Sequence, residues 1–349
     1  MTAIQWTDEV WNPTVGCTKV SAGCRSCYAK EIHDRRHKAH LEGKDVAVQY
    51  HVPFEQVQLK PERLRRPLSW RSPRRIFVNS VSDLFHEDVP DEFIESVFGV
   101  MAVAKQHTFQ VLTKRPERML KWFTALAGLE DRYTAVLREG ERLGRISWDS
   151  RGPHAEKYLS SVTPSQVVNR REFPGWPLPN MHIGVSVEDQ KAADQRIPLL
   201  LQTPAAVRFI SAEPLLGPID LGWSLSEDRI DGGDGAQHAI DWVIVGGESG
   251  SRARRCKVEW IEDLVAQCEF AGVPVFVKQL GKWIVGDHTE FLPQRWQLDD
   301  ESVWVPGIVG EHNYQRPKNA LAFGLSDSKG GTMEQWPERL RVRQFPEAR

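Results

Sequence analysis

Cysteine is scarce in this chain of 349 residues: there are five, an odd number that excludes a fully paired disulfide framework. No apolar run is long enough to span a bilayer, and the opening MTAIQWTDEVWNPTVG has neither the basic nor the apolar segment of an export signal. These absences point to a cytoplasmic protein with reduced thiols and no membrane partner. An excess of one charge is missing too. Lys and Arg number 45 against 47 Asp and Glu, a formal net charge of -2. Bulk electrostatics therefore draws the chain toward neither nucleic acid nor anionic lipid, and any polyanion site has to be local. Internal repeats and low-complexity tracts are absent as well.

What is present is an alternation. Runs rich in β-branched and aromatic residues recur: RRIFVNS from Arg74, TFQVLTK from Thr108, HIGVSVE from His182, VRFISAE from Val207, DWVIVGGES from Asp241 and VPVFVKQ from Val273. Between them, DEFIESVFGVMAVAKQ and KVEWIEDLVAQCEFAG place apolar residues at spacings of three and four, as amphipathic helices do. This order predicts an α/β fold with a parallel sheet, because parallel neighbours need crossover helices.

Each predicted strand ends in polar residues: Asn79, Ser80 and Asp83; Thr113, Lys114 and Arg115; Ser186 and Glu188; Ser211 and Glu213; Gly246, Gly247, Glu248 and Ser249; Lys278 and Gln279. In a parallel barrel or doubly wound sheet those ends share one face, the face that carries active sites. Two regions break the rhythm. Residues 125–179 are too long for an ordinary connection and are expected to form an inserted helical lid. The tail from Gly281, with four Trp and no periodicity, is expected to be an irregular cap on the core. The division is then a barrel over 1–283, interrupted by the lid, and an extension over 284–349.

Three of the cysteines fall together. Cys17, Cys24 and Cys27 have the spacing C-x6-C-x2-C, and a C-x2-C pair on a loop can place two sulfurs on one metal site with the earlier thiol folding back as a third. Three thiols leave a [4Fe-4S] cluster with one open iron. They also permit a Cys3His zinc module completed by His33, His37 or His40, or simply buried, unliganded thiols. Cys256 and Cys268 read as structural. A further reading, a hydrolase with Glu213 and Glu248 as acid and base, leaves the thiols without a role. Two basic stretches, LKPERLRRPLSWRSPRR from Leu59 and SGSRARRCK from Ser249, interleave cations with an aromatic or follow the glutamate cluster. Such stretches can track phosphates, which makes Arg74, Arg75, Arg252 and Arg254 candidates for contact with DNA or RNA.

The blocks WNPTVGCTKVSAGCRSCYA, FVNSVSDLFHEDVP, HTFQVLTKRPER, GVSVEDQ, RFISAEPLLGPIDL and DWVIVGGESG, in that order from Trp6 to about Trp283, resemble a phage-associated family of unknown function related to the radical S-adenosylmethionine (SAM) enzymes. The resemblance implies a partial, TIM-like (β/α) barrel and a [4Fe-4S] cluster on Cys17, Cys24 and Cys27 whose open iron chelates SAM. It also implies reductive cleavage of SAM to a 5′-deoxyadenosyl radical, fed by a flavodoxin- or ferredoxin-like electron donor. The six-residue first spacing and Tyr28 after the last cysteine depart from the commonest superfamily pattern. On this reading Asn79, Ser80 and Asp83 are expected at the SAM amino group. Ser186, Glu188, Ser211 and Glu213 are expected at its ribose or carboxylate, with Lys114, Arg115 and Lys278 at a carboxylate or phosphate. Tyr28, Thr113 and the glycines Gly246 and Gly247 complete the cofactor wall, and Lys278 and Glu248 are the candidate catalytic groups. Base modification or repair is the activity that suits a phage-associated protein.

Overall fold

Six of the apolar runs form parallel strands, and a seventh strand of three residues joins them at one edge. The computed structural model describes residues 4–124, 177–225, 240–250, 252–287, 320–324 and 329–346, together with Val136, Glu139 and Arg142. In chain order the strands are β1 (Glu9–Trp11), β2 (Thr14–Val15), β3 (Gln58–Leu59), β4 (Arg75–Val78), β5 (Thr108–Thr113), β6 (Met181–Ser186), β7 (Val207–Ala212), β8 (Trp242–Gly246), β9 (Cys256–Lys257), β10 (Val275–Gln279), β11 (Trp283–Asp287) and β12 (Ala320–Gly324). The main sheet has the order β1-β4-β5-β6-β7-β8-β10, every pair parallel, and it curls into a half-barrel. The α/β partial barrel is therefore the fold.

Helix α1 (Tyr28–Leu41) follows the first loop beside the mouth of the half-barrel, and helices α2 (Asp91–Val103), α3 (Pro116–Thr124), α4 (Gln190–Leu201) and α5 (Val258–Ala271) cover the outer face. Local signals start them. Asp91 and Glu92 sit in the first turn of α2, where negative charge suits the helix dipole. Asp189 caps α4 by accepting the backbone N–H of Ala192 at 2.9 Å.

The strand pleat sorts side chains two ways. Outward-facing Ile76, Val78, Phe109, Val111, Ile183, Val185, Ile210, Val243, Val245 and Val277 pack under the helices as the larger core. Inward-facing Phe77, Phe209, Trp242, Ile244 and Phe276 close around Trp6 as a second, mainly aromatic core inside the half-barrel. Trp6 lies 4.6 Å from the Phe77 ring and edge-on to Trp242 at 6.3 Å.

The tail departs from the expected irregular cap. β11 pairs antiparallel with β12 and parallel with β9 to make a three-stranded sheet, so the boundary drawn at 283 cuts the first residue of a strand. Farther on, Val342 and Gln344 run antiparallel beside β10: Val277 N–H donates to Val342 O and Gln344 N–H to Val275 O, both at 2.9 Å. The tail thus covers the open edge of the half-barrel and brings Phe345 to its aromatic core. The expected lid lies outside the described residues, apart from Val136, Glu139, Arg142 and 177–179. Among the described residues no helix is long and apolar enough to cross a membrane.

Candidate functional site

The loop from β2 to α1 carries Cys17, Cys24 and Cys27, and all three line one cavity of about 250 Å3 at the carboxyl ends of the parallel strands. Each thiol is free and half-buried. Three charged side chains and one imidazole, from four distant segments, hold the loop in place. Arg115, after β5, donates to Thr18 O at 3.1 Å, to Thr18 Oγ1 at 2.8 Å and to Cys17 Sγ at 3.4 Å. Glu188, after β6, accepts the N–H of Gly23 at 3.3 Å and is ion-paired to Arg196 at 2.9 Å. Arg254 donates to Ala22 O at 2.9 Å, and His86 bonds Thr18 Oγ1 at 2.8 Å. Burial, with Asp83 adding to it, pushes the Cys17 thiol up to about 11 against the pull of the Arg115 charge.

Most of the residues expected at the site do line the cavity: Tyr28, Asn79, Ser80, Asp83, Thr113, Lys114, Ser186, Ser211, Glu213, Gly247, Glu248 and Lys278. Their availability differs. Asn79 has φ 61° at the end of β4, its Oδ1 accepts from Thr14 N–H at 3.4 Å, and its Nδ2 is buried with no hydrogen-bond partner among the described residues. Its free end is a donor, which suits a carboxylate or a ribose oxygen and not the SAM ammonium assigned to it from sequence. Lys278 Nζ stands 3.0 Å from Glu213 Oε1, a pair that spans β10 and β7. Lys114 has no ion pair among the described residues. Tyr28 donates its hydroxyl to Ser80 O, while the residue as a whole stays about half exposed at the cavity rim.

Other expectations change. Asp83 accepts Phe85 N–H and Thr113 Oγ1 on Oδ1, and Lys114 N–H and Arg115 Nη1 on Oδ2, so Asp83 and Thr113 brace the mouth and are not free for a cofactor amino group. Glu188 faces the cysteine loop. Its burial works to raise the carboxyl, but Ser21, Arg196 and Lys114 outweigh it and hold it below the carboxylate range. Glu248 is gripped by Arg254 on both oxygens at 2.7 and 2.9 Å, which removes it as a free acid or base and ties Arg254 to the loop. A hydrolytic pair of Glu213 and Glu248 would need two unpaired carboxyls, and each is held by a cation.

The glycines serve packing. A Cβ on Gly246 would stand 2.4 Å from Glu213 Oε1, and one on Gly247 2.1 Å from Leu280 O, so these positions admit Glu213 and the turn after β10, not a ligand. Arg74 and Arg75 lie at the amino end of β4, away from the cavity, paired to Glu9 at 3.1 Å and Asp8 at 2.9 Å. Of the basic candidates, Arg252 stays exposed by the cysteine loop, 3.8 Å from Glu31, with its carbonyl near Ser26 Oγ.

The histidines of α1 face the wrong way for zinc. His33 Nε2 bonds Val52 O at 2.9 Å, His37 Nδ1 bonds Tyr50 O at 2.8 Å, and His40 stacks on His51 at 3.9 Å, all on the segment after the helix. Among the described residues no three His, Cys, Asp or Glu side chains are grouped so as to hold a metal ion. Three thiols are a donor set of the kind an iron–sulfur cluster takes, and here they are half-buried and share one cavity wall with the unpartnered Asn79 amide donor.

The braces were the part sequence reasoning missed. Arg115 was noted as a phosphate receiver, and Arg196 and His86 were not singled out. The signal that could have exposed Arg196 is its i+8 offset from Glu188, two turns away across the cap of α4.

Fold and site together define a half-barrel protein with a thiol-bearing cavity at the carboxyl ends of its strands. The chain matches the model of a family described as protein of unknown function (DUF5131) over residues 1–321, and it belongs to that family. No curated protein and no solved structure matches it.

Proposed function

We propose that this protein is a [4Fe-4S]-dependent enzyme of the radical SAM type. The observation that carries the reading is the convergence of Cys17, Cys24 and Cys27 on one cavity at the carboxyl ends of a parallel half-barrel, with His33 and His37 of α1 engaged by backbone carbonyls of the segment after the helix. When bound, a cluster held by three cysteines supplies an open iron to chelate SAM and an electron to cleave its sulfonium bond.

The chain's own residues then bind and orient. Cys17, Cys24 and Cys27 are the ligands. Asn79 Nδ2 offers a hydrogen bond to a carboxylate or ribose oxygen, Lys114 offers a cation with no ion pair among the described residues, and the Lys278–Glu213 pair presents donor and acceptor together. The aromatic core below, from Trp6 to Phe276, keeps water from the inner face. An electron donor of flavodoxin or ferredoxin type belongs to this proposal. So does a nucleic-acid substrate, suggested by the phage-associated resemblance and by Arg252 near the mouth; Arg74 and Arg75, at the opposite end, lend it nothing.

The test uses the full-length chain, purified without oxygen and reconstituted with ferrous iron and sulfide. Addition of dithionite and SAM is expected to yield 5′-deoxyadenosine by chromatography, and the Cys24→Ser protein none. A loaded wild-type cluster that leaves SAM intact would overturn the radical assignment.

A further inference from the structure

The three sulfurs are not equivalent. Cys17 Sγ receives a hydrogen bond from a charged donor, Arg115 Nη1 at 3.4 Å, whereas Cys24 Sγ has only the Ser21 hydroxyl at 3.9 Å and Cys27 Sγ has no donor among the described residues. Arg115 is 4 % exposed, and its guanidinium is committed on every nitrogen. Nε reaches Glu87 at 3.2 and 3.3 Å, Nη1 reaches Cys17 and Asp83, and Nη2 reaches the carbonyl and hydroxyl of Thr18. Asp83 is in turn held by Phe85 N–H, Thr113 Oγ1 and Lys114 N–H. The fork therefore cannot turn away from the sulfur without breaking several charge-assisted bonds.

We propose that Arg115 is a positioning residue that aims the Cys17 sulfur and raises the reduction potential of the iron–sulfur cluster the three cysteines would hold. The inference rests on the function proposed above. Reduction adds one negative charge, spread partly over the ligand sulfurs, and a buried cation that donates to one of them stabilises the reduced form more than the oxidised form. Glu87 works against it. That carboxylate is 66 % exposed and partly neutralises the guanidinium from the solvent side, so the two residues are expected to shift the potential in opposite directions.

The experiment is a redox titration of the full-length, reconstituted protein without SAM, followed by the electron paramagnetic resonance of the reduced cluster. In Arg115→Gln the reduced-to-oxidised ratio at fixed ambient potential is expected to fall about tenfold, equivalent to about 59 mV for one electron. Arg115→Lys keeps the charge without the fork and is expected between wild type and the Gln variant. Glu87→Gln, an exposed change that leaves folding intact, is expected to move the ratio the other way by a smaller factor. An unmoved or raised midpoint in Arg115→Gln, or an unmoved or lowered one in Glu87→Gln, would overturn the inference. If Arg115→Gln fails to load, the Glu87 variant decides by the same criterion. The wild-type spectrum is read first: no cluster signal there would defeat the proposed function itself, whereas a normal signal with unresponsive variants defeats only the role of Arg115.

Discussion

The two ends of the half-barrel's inner face are built from the same strands and do opposite things. At the amino end the inward side chains are Phe77, Phe209, Trp242 and Phe276, packed on Trp6. Two residues along, about 7 Å on a strand, the inward positions become Asn79, Ser211 and Lys278, with Glu213 beside them at the cavity. Cations at the amino end lie on rings and beside surface acids: Arg75 sits 4.1 Å over Phe345 and pairs with Asp8. Cations at the carboxyl end point across the cavity rim to brace a loop that carries three thiols. One end supplies stability and the other displays chemistry, the division expected of parallel strands whose carboxyl ends bear the site.

Substitutions can break that contrast, and the floor should give the largest effect. Trp242→Ala is expected to cost about 3–5 kcal/mol in denaturant unfolding, while Ser211→Ala at the mouth should stay within about 1 kcal/mol. Equal losses would mean that the mouth carries as much of the fold as the floor does. Next comes Glu188→Gln, which leaves Arg196 buried beside a neutral partner and keeps one acceptor oxygen where Arg196 and Gly23 use two; a loss of about 3 kcal/mol by the same measurement is expected. A negligible change would show that the cysteine loop is held by Arg115 and Arg254 alone.

Gly247→Ala pushes a methyl group onto the Leu280 carbonyl and should cost about 1–3 kcal/mol, read as a lowered unfolding midpoint. The gentlest readout is the slope with pH, because it is spread over more than two units. Burial pushes the His182 imidazole, on the floor side of β6, down to about 4 from an ordinary 6.5. Between those values the unfolded chain binds a proton that the folded chain does not. The contribution is therefore intact above pH 6.5 and is lost progressively as pH falls toward 4, by about 3 kcal/mol at most. Unfolding curves across that range should slope less for His182→Gln than for wild type.

The sequence was a good guide to strands buried on both faces, because VRFISAE and DWVIVGGES are continuous apolar runs that only a covered parallel strand tolerates. It was a poor guide to β1, since EVW is too short to form a pattern, and to β11 and β12, which pair with each other across a long intervening stretch of chain. At the site, the polar cluster ending each strand was legible as a group. The roles inside it were not. Arg115 and Cys17 are 98 residues apart, and Glu188 and Gly23 are 165 apart. Which acid meets which base across neighbouring strands depends on sheet order and register, and local composition carries neither. Gly246, Gly247 and Glu248, expected at the cofactor wall and in catalysis, show the same limit: the glycines make room for Glu213 and Leu280, and the glutamate is already paired.

The reading of the mouth as a cluster-bearing site is tested most directly by counting metal. Full-length protein isolated and reconstituted without oxygen should hold about four iron and about four acid-labile sulfide per chain, and the variant with Cys17, Cys24 and Cys27 all changed to Ala should hold neither. Stoichiometric zinc without sulfide in the wild type, or equal iron in the triple variant, would contradict it.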